Sequence, residues 1–220
     1  MSENQQFQDI AVWKEDALGI IVIKSSDTGE VRRSVFPELV LALGMASADA
    51  DLKAIVITGL NRNFVSKIEI CGTLKCLLKT LDDLSALASM VYSAPKPVYT
   101  ILTGNAVNMG YEIALLGDVV ISGPDLKAGI TEDYIFRLGG SLTSQRFSNI
   151  SLSEPAESVN VDKIFQRKDL LGEAKSFILG DYMASRPLLR RRRLSDTRTA
   201  LMEEHRLVID TFSSIRKEGE

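Results

Sequence analysis

Lys96-Pro-Val-Tyr-Thr-Ile-Leu-Thr-Gly104 opens the stretch that decides the fold, which continues to Phe147. Its apolar and β-branched residues, closed by a glycine, predict a buried strand that enters a tight turn. The next segment places small and apolar residues on one face of a predicted helix, namely Ala106, Met109, Gly110, Ile113 and Ala114. Asp118-Val-Val-Ile-Ser-Gly-Pro124 is again almost entirely apolar, which is typical of a strand covered on both faces. Strand, helix and strand in this order predict parallel strands joined by helical crossovers, and therefore an α/β fold.

Two glutamates in this stretch are candidates for acid/base chemistry. Glu112 lies just inside the predicted helix, where the helix dipole and the unpaired N–H groups favour negative charge. Glu132 follows twenty residues later, in the loop-rich segment Ala128-Gly-Ile-Thr-Glu-Asp-Tyr134. The residue types alone leave a second interpretation open, in which either glutamate is a carboxylate of a helix start or a loop without a catalytic role.

The residues upstream predict the same alternation of strands and helices. Two β-rich runs around Lys14–Gly19 predict a hairpin, and Ser34 is a candidate cap for a helix with apolar residues from Val35 to Ala46. A buried strand is predicted from Ala54 to Thr58. The leucines from Leu74 to Leu87 continue to Val91 at helical spacing, which predicts a long amphipathic helix that ends before Pro95.

The character of the chain changes after Phe147. The pattern predicts a last strand within Val159–Phe165 and helices over Asp169–Leu179 and Leu194–Ser214, with His205 on the final helix. We therefore predict a core from residues 1–150 and a C-terminal helical region from residues 151–220.

Composition limits the function classes. The net charge of −3 and the pI of about 5.4 give no basic field for nucleic acid. No apolar run approaches the ~20 residues of a membrane span, and the polar first residues do not form a signal peptide. The sequence therefore predicts a cytoplasmic protein with no membrane contact. One histidine, His205, and two cysteines, Cys71 and Cys76, predict no metal site, and a reducing compartment would leave the cysteines as plain thiols.

Three segments together resemble a known family. Gly104-Asn-Ala-Val-Asn-Met-Gly-Tyr-Glu-Ile-Ala-Leu-Leu-Gly-Asp118, Ala128-Gly-Ile-Thr-Glu132 and Leu138-Gly-Gly-Ser-Leu-Thr-Ser-Gln-Arg-Phe147 resemble the successive motifs of the crotonase (enoyl-CoA hydratase/isomerase) superfamily. Lys53-Ala-Ile-Val-Ile-Thr-Gly59 and Phe64-Val-Ser-Lys-Ile-Glu-Ile70 resemble the upstream strand and oxyanion loop of that family. The resemblance covers roughly residues 10 to 147.

The resemblance implies a fold and a chemistry. The implied fold is a crotonase-like (ClpP/crotonase) spiral of ββα units with a two-layer sheet core and a shortened C-terminal helical region. The implied activity is that of a lyase that adds water to a 2-enoyl-CoA, with Glu112 and Glu132 as the acid/base pair. The backbone N–H groups of Ser66 and Met109 would form the oxyanion hole. Coenzyme A is part of the substrate, and no metal or redox cofactor is implied.

The resemblance also implies contacts with coenzyme A and with other subunits. Arg32, Arg33, Ser66 and Ile68 are the candidate CoA-binding residues. By the resemblance, the helical region from residues 151–220 would serve in oligomerisation or cover the active site. The implied homo-oligomer is a trimer or a dimer of trimers. The run Arg190-Arg191-Arg192-Arg193 is compatible with a solvated helix start, a subunit interface or a phosphate contact, and the sequence leaves these open.

The chain departs from the family motifs at two places near the implied site. Asn108-Met109-Gly110 replaces three glycines, and Ser66-Lys67 replaces an alanine-glycine pair, so that a lysine stands beside the expected pocket. Two further functions therefore remain open. One is isomerase, decarboxylase or hydrolase action on another acyl-CoA. The other is a non-catalytic subunit that binds an acyl-CoA or a protein partner.

Overall fold

The computed structural model describes residues 7–60, 63–69, 73–124, 126–130, 161–165 and 168–180, and the single positions 202, 205, 206, 209 and 210. The strands are β1 (Ile10–Glu15), β2 (Leu18–Ile23), β3 (Glu30–Arg32), β4 (Ala54–Gly59), β5 (Asn63–Val65), β6 (Lys67–Glu69), β7 (Val98–Leu102), β8 (Asn105–Val107), β9 (Val119–Ser122), β10 (Ala128–Gly129) and β11 (Lys163–Ile164). The helices are α1 (Val35–Ala48), α2 (Leu74–Ser93), α3 (Met109–Leu115) and α4 (Leu170–Gly180).

The strands form two layers. A six-stranded sheet has the order β1-β2-β4-β7-β9-β11, and a second layer holds the three-stranded β10-β8-β5 sheet and the two-stranded β3-β6 ribbon. All neighbours in the large sheet are parallel except the β1–β2 hairpin. A strand of the large sheet, one or two short strands of the second layer and a helix follow one another repeatedly along the chain. The predicted spiral of ββα units is therefore confirmed.

Apolar residues cover both faces of the large sheet, as the continuous apolar strands predict. One face packs against α1, α2 and α3 through buried side chains such as Leu39, Leu84 and Ile113. The opposite face packs against α4 through Ala174 and Ile178. The predicted hairpin, the helix after Ser34, the long helix before Pro95 and the helix over Asp169–Leu179 are all confirmed.

Three local predictions are wrong. Ala106 was expected in a helix but lies in β8, because β8 pairs with β10 and β5 and the helix begins only at Met109. Ser34 makes no side-chain cap on α1, since its hydroxyl donates to a carboxylate oxygen of Asp9 instead. Cys76 is disulfide-bonded rather than a free thiol. The other cysteine of the sequence, Cys71, lies outside the described residues.

The C-terminal region of the chain contributes to the core. β11 pairs in parallel with β9 and so extends the large sheet, and α4 covers one face of that sheet. Farther along, the imidazole Nε2 of His205 lies 3.0 Å from Oδ1 of Asp82 on α2. The predicted helix over Leu194–Ser214 is described at five positions only, all of them helical, and the division of the chain at residue 150 remains a prediction.

The N-terminal end of β1 is anchored by a buried carboxylate. Asp9 is 5% exposed, and Oδ1 of its carboxylate accepts a 2.9 Å hydrogen bond from Nε of Arg32 as well as a bond from Nη2. The backbone N–H groups of Gln8, Asp9 and Ile10 donate to the carboxylate of Glu38 in the first turn of α1. These bonds tie the start of β1 to β3 and to α1.

Replacing Asp9 with alanine is expected to lower the free energy of unfolding by about 2–3 kcal/mol, because hydrogen bonds to a buried charged group are lost together. Urea unfolding followed by circular dichroism measures the change. Asp51→Ala is the matched control, since it removes a pair with Lys14 in which the Asp51 side chain is 79% exposed, and such surface pairs contribute little. An equal loss of stability in both variants would contradict the anchoring role of Asp9.

Candidate functional site

Glu112 is a buried carboxyl group. It lies in the first turn of α3 and is 2% exposed, between the equally buried Tyr111 and Ile113. Its backbone N–H donates to the carbonyl of Asn108 over 3.0 Å, which is the first backbone bond of the helix. Glu112 is therefore not a solvated glutamate at a surface helix start, and its catalytic role stays a prediction.

The turn that starts α3 positions Met109. Asn108 has φ 54° and ψ −119°, and its N–H donates to the carbonyl of Gly129 over 2.8 Å. This bond ties the turn to β10, whose residues pair with β8. Met109 is the first residue of α3, where a backbone N–H has no acceptor within the helix. The N–H of Met109 therefore has no acceptor within α3, and its role as an oxyanion donor stays a prediction.

The side chain of Met109 packs into the protein. It is 4% exposed and belongs to the apolar core beneath the large sheet. A methionine in place of a family glycine thus fills space in the core, and its own N–H is retained.

Gly110 brings the start of α3 into direct contact with the end of β5. A Cβ added to Gly110 would lie 1.9 Å from the carbonyl oxygen of Val65 and 2.6 Å from its carbonyl carbon. Only glycine permits this approach of two backbones. Because Ser66 follows Val65 directly, the contact brings the two segments predicted to form the oxyanion hole next to each other.

The predicted oxyanion donor Ser66 does not fit this conformation. Its N–H donates to the carbonyl of Gly29 over 2.8 Å, and the N–H of Lys67 donates to the same oxygen over 3.2 Å. The N–H of Ser66 is bonded to Gly29 because β3 pairs with β6 and begins immediately after Gly29. The backbone N–H of Ser66 is therefore directed at β3 and away from α3.

The backbone N–H of Ile68, unlike that of Ser66, is not directed at β3. Successive N–H groups of a strand point to opposite edges, and the N–H of Lys67 points to β3. The N–H of Ile68 consequently points to the other edge of β6, and α3 packs against β5 and β6. The Ile68 side chain is buried in the core, and so is that of Val31, its partner in the strand register.

Lys67 lies on the outer face of the β3–β6 ribbon. Its ammonium group is 3.2 Å from Oε1 of Glu30, which is its partner in the strand register, and the side chain is 71% exposed. The expected positive charge of Lys67 is therefore compensated by the neighbouring carboxylate.

The two predicted CoA-binding arginines both form ion pairs within the chain. Arg32 is bound to Asp9 and remains 49% exposed. Arg33 points instead to α2, where its Nη1 is 3.5 Å from Oδ2 of Asp83. Burial raises the pKa of Asp83, and the charge of Arg33 opposes that rise. A contact with the CoA phosphates remains a prediction for both residues, and the exposed half of Arg32 leaves room for it.

Two predicted positions lie outside the described residues: Glu132 and the run Arg190–Arg193. The segment that leads to Glu132 is described as far as Ile130, and its strand β10 pairs with β8. Among the described residues, no group of three or more His, Cys, Asp or Glu side chains is placed to hold a metal ion. No helix among them is long and apolar enough to cross a bilayer.

Sequence reasoning missed the positive φ of Gly29 and of Asn108. Gly29 has φ +78°, and a Cβ there would lie 2.7 Å from Oγ of Ser66, so glycine is required at this turn. The signal in the sequence was Asp27-Thr-Gly29, which indicates a turn but not its contact with Ser66.

Comparisons with known proteins found curated relatives of similar sequence. The chain is 30% identical over 118 residues to the 2,3-dehydroadipyl-CoA hydratase of Escherichia coli (strain K12), which is 53% of this chain and 46% of that protein. It is 23% identical over 189 residues to the probable mitochondrial enoyl-CoA hydratase of Dictyostelium discoideum, which is 77% of this chain and 68% of that protein. The chain thus spans less than half the length of the first of these relatives. No protein-family model matches the chain.

The solved structures settle the architecture. The crystal structure of enoyl-CoA hydratase from Bacillus halodurans superposes with a TM-score of 0.78 at 14% identity, over 93% of this chain and 95% of that chain. The chain has the crotonase fold. The resemblance to the crotonase superfamily and the predicted fold class are therefore both confirmed. Within the crotonase fold, Glu112, Met109 and Ile68 belong to two adjoining segments, α3 and β6.

Proposed function

We propose that this crotonase-fold chain is a lyase that adds water to the C2–C3 double bond of a 2-enoyl-CoA thioester. The observation that carries the proposal is the buried carboxyl of Glu112, held three residues from a helix-start N–H and beside the end of β5. The names of both curated relatives, a 2,3-dehydroadipyl-CoA hydratase and a probable enoyl-CoA hydratase, support the same reaction.

In the proposed reaction, two backbone N–H groups bind the thioester carbonyl oxygen. We assign them to Met109 and to Ile68, since the N–H of Ser66 is bonded to Gly29. When water adds to C3, the electron pair of the double bond moves toward the carbonyl and gives an enolate. The two N–H groups stabilise the negative oxygen. In other enzymes, one such donor lowers the activation barrier by about 3 kcal/mol.

Glu112 and Glu132 act jointly as the acid/base pair. One carboxylate takes a proton from the attacking water at C3, and the other carboxylic acid delivers a proton to C2. The product is the 3-hydroxyacyl-CoA, and the proton count is balanced across the pair. All steps are proton transfers and an addition, so the proposed reaction uses no metal or redox cofactor. Arg32, Arg33 and Ser66 are proposed to contact the CoA portion of the substrate, and a trimer or a dimer of trimers is the proposed assembly.

A second candidate function is favoured by one specific observation. Met109 stands where the family has glycine, and its side chain is packed at the start of α3. If this side chain also narrows the thioester site, the chain is a subunit that binds acyl-CoA without turning it over.

Replacement of Met109 distinguishes the two functions. The hydratase proposal predicts that the wild type turns over crotonyl-CoA and that Met109→Gly keeps the rate per folded molecule within about tenfold, because the N–H is present in both. The variant is expected to be less stable by about 2–5 kcal/mol, since a buried side chain is removed. Met109→Leu, which conserves volume, is the control for packing.

An inactive wild type with an active Met109→Gly variant would instead support the binding function. Product analysis with several CoA thioesters separates hydration from isomerisation, decarboxylation and thioester hydrolysis. A 3-hydroxyacyl-CoA as the main product is the result that the proposal requires.

A further inference from the structure

A disulfide bond spans the connection between β6 and α2. β6 ends at Glu69 and α2 begins at Leu74. Cys76, in the first turn of α2, is disulfide-bonded. The sequence contains one other cysteine, Cys71, which belongs to this connection. Within a single chain the partner of Cys76 is therefore Cys71, and the bond ties the residues just after β6 to the start of α2.

The α2 end of this bond is fixed by the helix itself. Oγ1 of Thr73 accepts a hydrogen bond from the backbone N–H of Cys76 over 3.3 Å, so Thr73 caps the helix. The carbonyl of Thr73 accepts bonds from the N–H groups of Cys76 and Leu77, both over 3.0 Å. The side chain of Leu77 is buried in the apolar core. These contacts hold the start of α2 independently of the disulfide.

The β6 end belongs to a short ribbon. β6 has three residues, and among the described strands it pairs with β3 alone. A two-stranded ribbon is by itself at best marginally stable. Ile68, the proposed oxyanion donor, is the middle residue of β6, and Cys71 follows it three positions later. The disulfide therefore restrains the strand that carries the donor, because it holds the chain just after that strand to α2.

The bond lies where a reductant can reach it. Cys76 is only partly buried, and Thr73 and Lys75 beside it are exposed. Disulfides in reducing compartments are as a rule transient, and they act in catalysis or in redox sensing. The sequence predicts a cytoplasmic protein, and neither cysteine belongs to the proposed acid/base pair or oxyanion hole. Redox sensing is therefore the role that fits this bond.

We propose that the Cys71–Cys76 disulfide is a redox switch, which in its oxidised state holds β6 where the N–H of Ile68 binds the thioester oxygen. This rests on the proposed acyl-CoA function. In the reduced state, only the ribbon with β3 and the core packing restrain β6. Binding must then order the strand further, which lowers the affinity. A dithiol supplies two electrons and two protons for the reduction, so the S–S bond breaks, two thiols form and the dithiol becomes a disulfide.

Binding of butyryl-CoA by the oxidised and the reduced protein tests the proposal. The protein is oxidised with glutathione disulfide or reduced with dithiothreitol, freed of the reagent under nitrogen and titrated by calorimetry. Butyryl-CoA is used because it has no double bond to which a thiol can add. The reduced protein is expected to bind it about three- to tenfold more weakly than the oxidised protein. The double variant Cys71→Ser/Cys76→Ser is the control, and it is expected to bind like the reduced wild type after either treatment.

Hydrogen exchange gives a readout that needs no ligand. The amides of β6 are expected to exchange faster in the reduced protein than in the oxidised protein. The amides of β7, which lies inside the large sheet, are expected to exchange at the same rate in both. Faster exchange in β7 as well would make the disulfide a general stabiliser of the fold and would overturn the switch.

Two further results would overturn the proposal. One is a protein that keeps two free thiols after oxidation with glutathione disulfide, and the other is equal affinity for butyryl-CoA in both redox states. If neither redox state binds butyryl-CoA, the proposed acyl-CoA function fails, and the exchange of β6 then decides on the switch alone. Unchanged exchange of β6 would in that case overturn it.

Discussion

Gly110→Ala is expected to lower the free energy of unfolding by more than about 3 kcal/mol, beyond the usual cost of an added methyl group in a packed core. The new Cβ would lie 1.9 Å from the carbonyl oxygen of Val65, which is a backbone atom with no freedom to rotate away. α3 and β5 must therefore separate. Because α3 carries Met109 and Glu112, and β5 leads directly into β6 with Ile68, acyl-CoA binding is expected to fall together with stability. Thermal unfolding and calorimetric titration with crotonyl-CoA measure the two effects.

Gly44→Ala provides the matched control for Gly110→Ala. Gly44 also lies inside a helix, α1, and a Cβ there would contact only the Cε of Met90 at 3.9 Å. The same substitution is expected to stabilise the protein by about 0.5–1 kcal/mol, since alanine loses less backbone entropy than glycine in a helix. If both variants were as stable as the wild type, the close contact between α3 and β5 would be contradicted.

Glu112→Gln is expected to reduce the turnover of a 2-enoyl-CoA by about 10²–10⁴-fold, which is the usual contribution of a positioned general acid or base. Glutamine has nearly the same shape as glutamate, so the buried position of the side chain and the fold are expected to persist. Binding of the thioester is expected to change little, because glutamine cannot transfer the proton but keeps the volume of the glutamate side chain. Steady-state kinetics should then show a fall in kcat with a small change in KM.

Glu69→Gln is the control for the charge change. Glu69 is exposed at the end of β6, which packs against α3. Its substitution therefore changes the net charge by the same amount, close to the same helix. The expected result is a rate close to that of the wild type. A wild-type rate in Glu112→Gln would remove Glu112 from the proposed acid/base pair and leave its burial as a purely structural feature.

The sequence alone predicted the repeating arrangement of strands and helices because that arrangement has local signals. Ala54–Ile57 is continuously apolar, and the leucines of α2 recur at helical spacing, so each element is predicted by its own residues. The position of Glu112 in a short helix was also predictable, since Gly104 closes the strand before it. The burial of Glu112 was not predictable, because burial depends on which other elements pack over the side chain.

Contacts between distant parts of the chain were not predictable in this way. Ser66 was expected to donate to a substrate, but its N–H is bonded to Gly29, which is 37 residues earlier. Arg32 was expected to face CoA phosphates, but its guanidinium also holds Asp9, 23 residues earlier. Neither pairing has a signal in the local pattern, since both depend on where the chain places β3, which pairs with β6 and whose Arg32 reaches Asp9. The short β8 was mistaken for helix because its apolar residues fit both spacings over so few positions.

Hydration of crotonyl-CoA by the wild type and by Glu132→Gln, followed as loss of the enoyl thioester absorbance, tests the central claim most directly. The account predicts conversion to 3-hydroxybutyryl-CoA by the wild type and a loss of about 10²–10⁴-fold in Glu132→Gln, as for Glu112→Gln. Equal rates in the wild type and Glu132→Gln, or no hydration by a wild type that binds the thioester, would contradict a two-carboxylate hydratase.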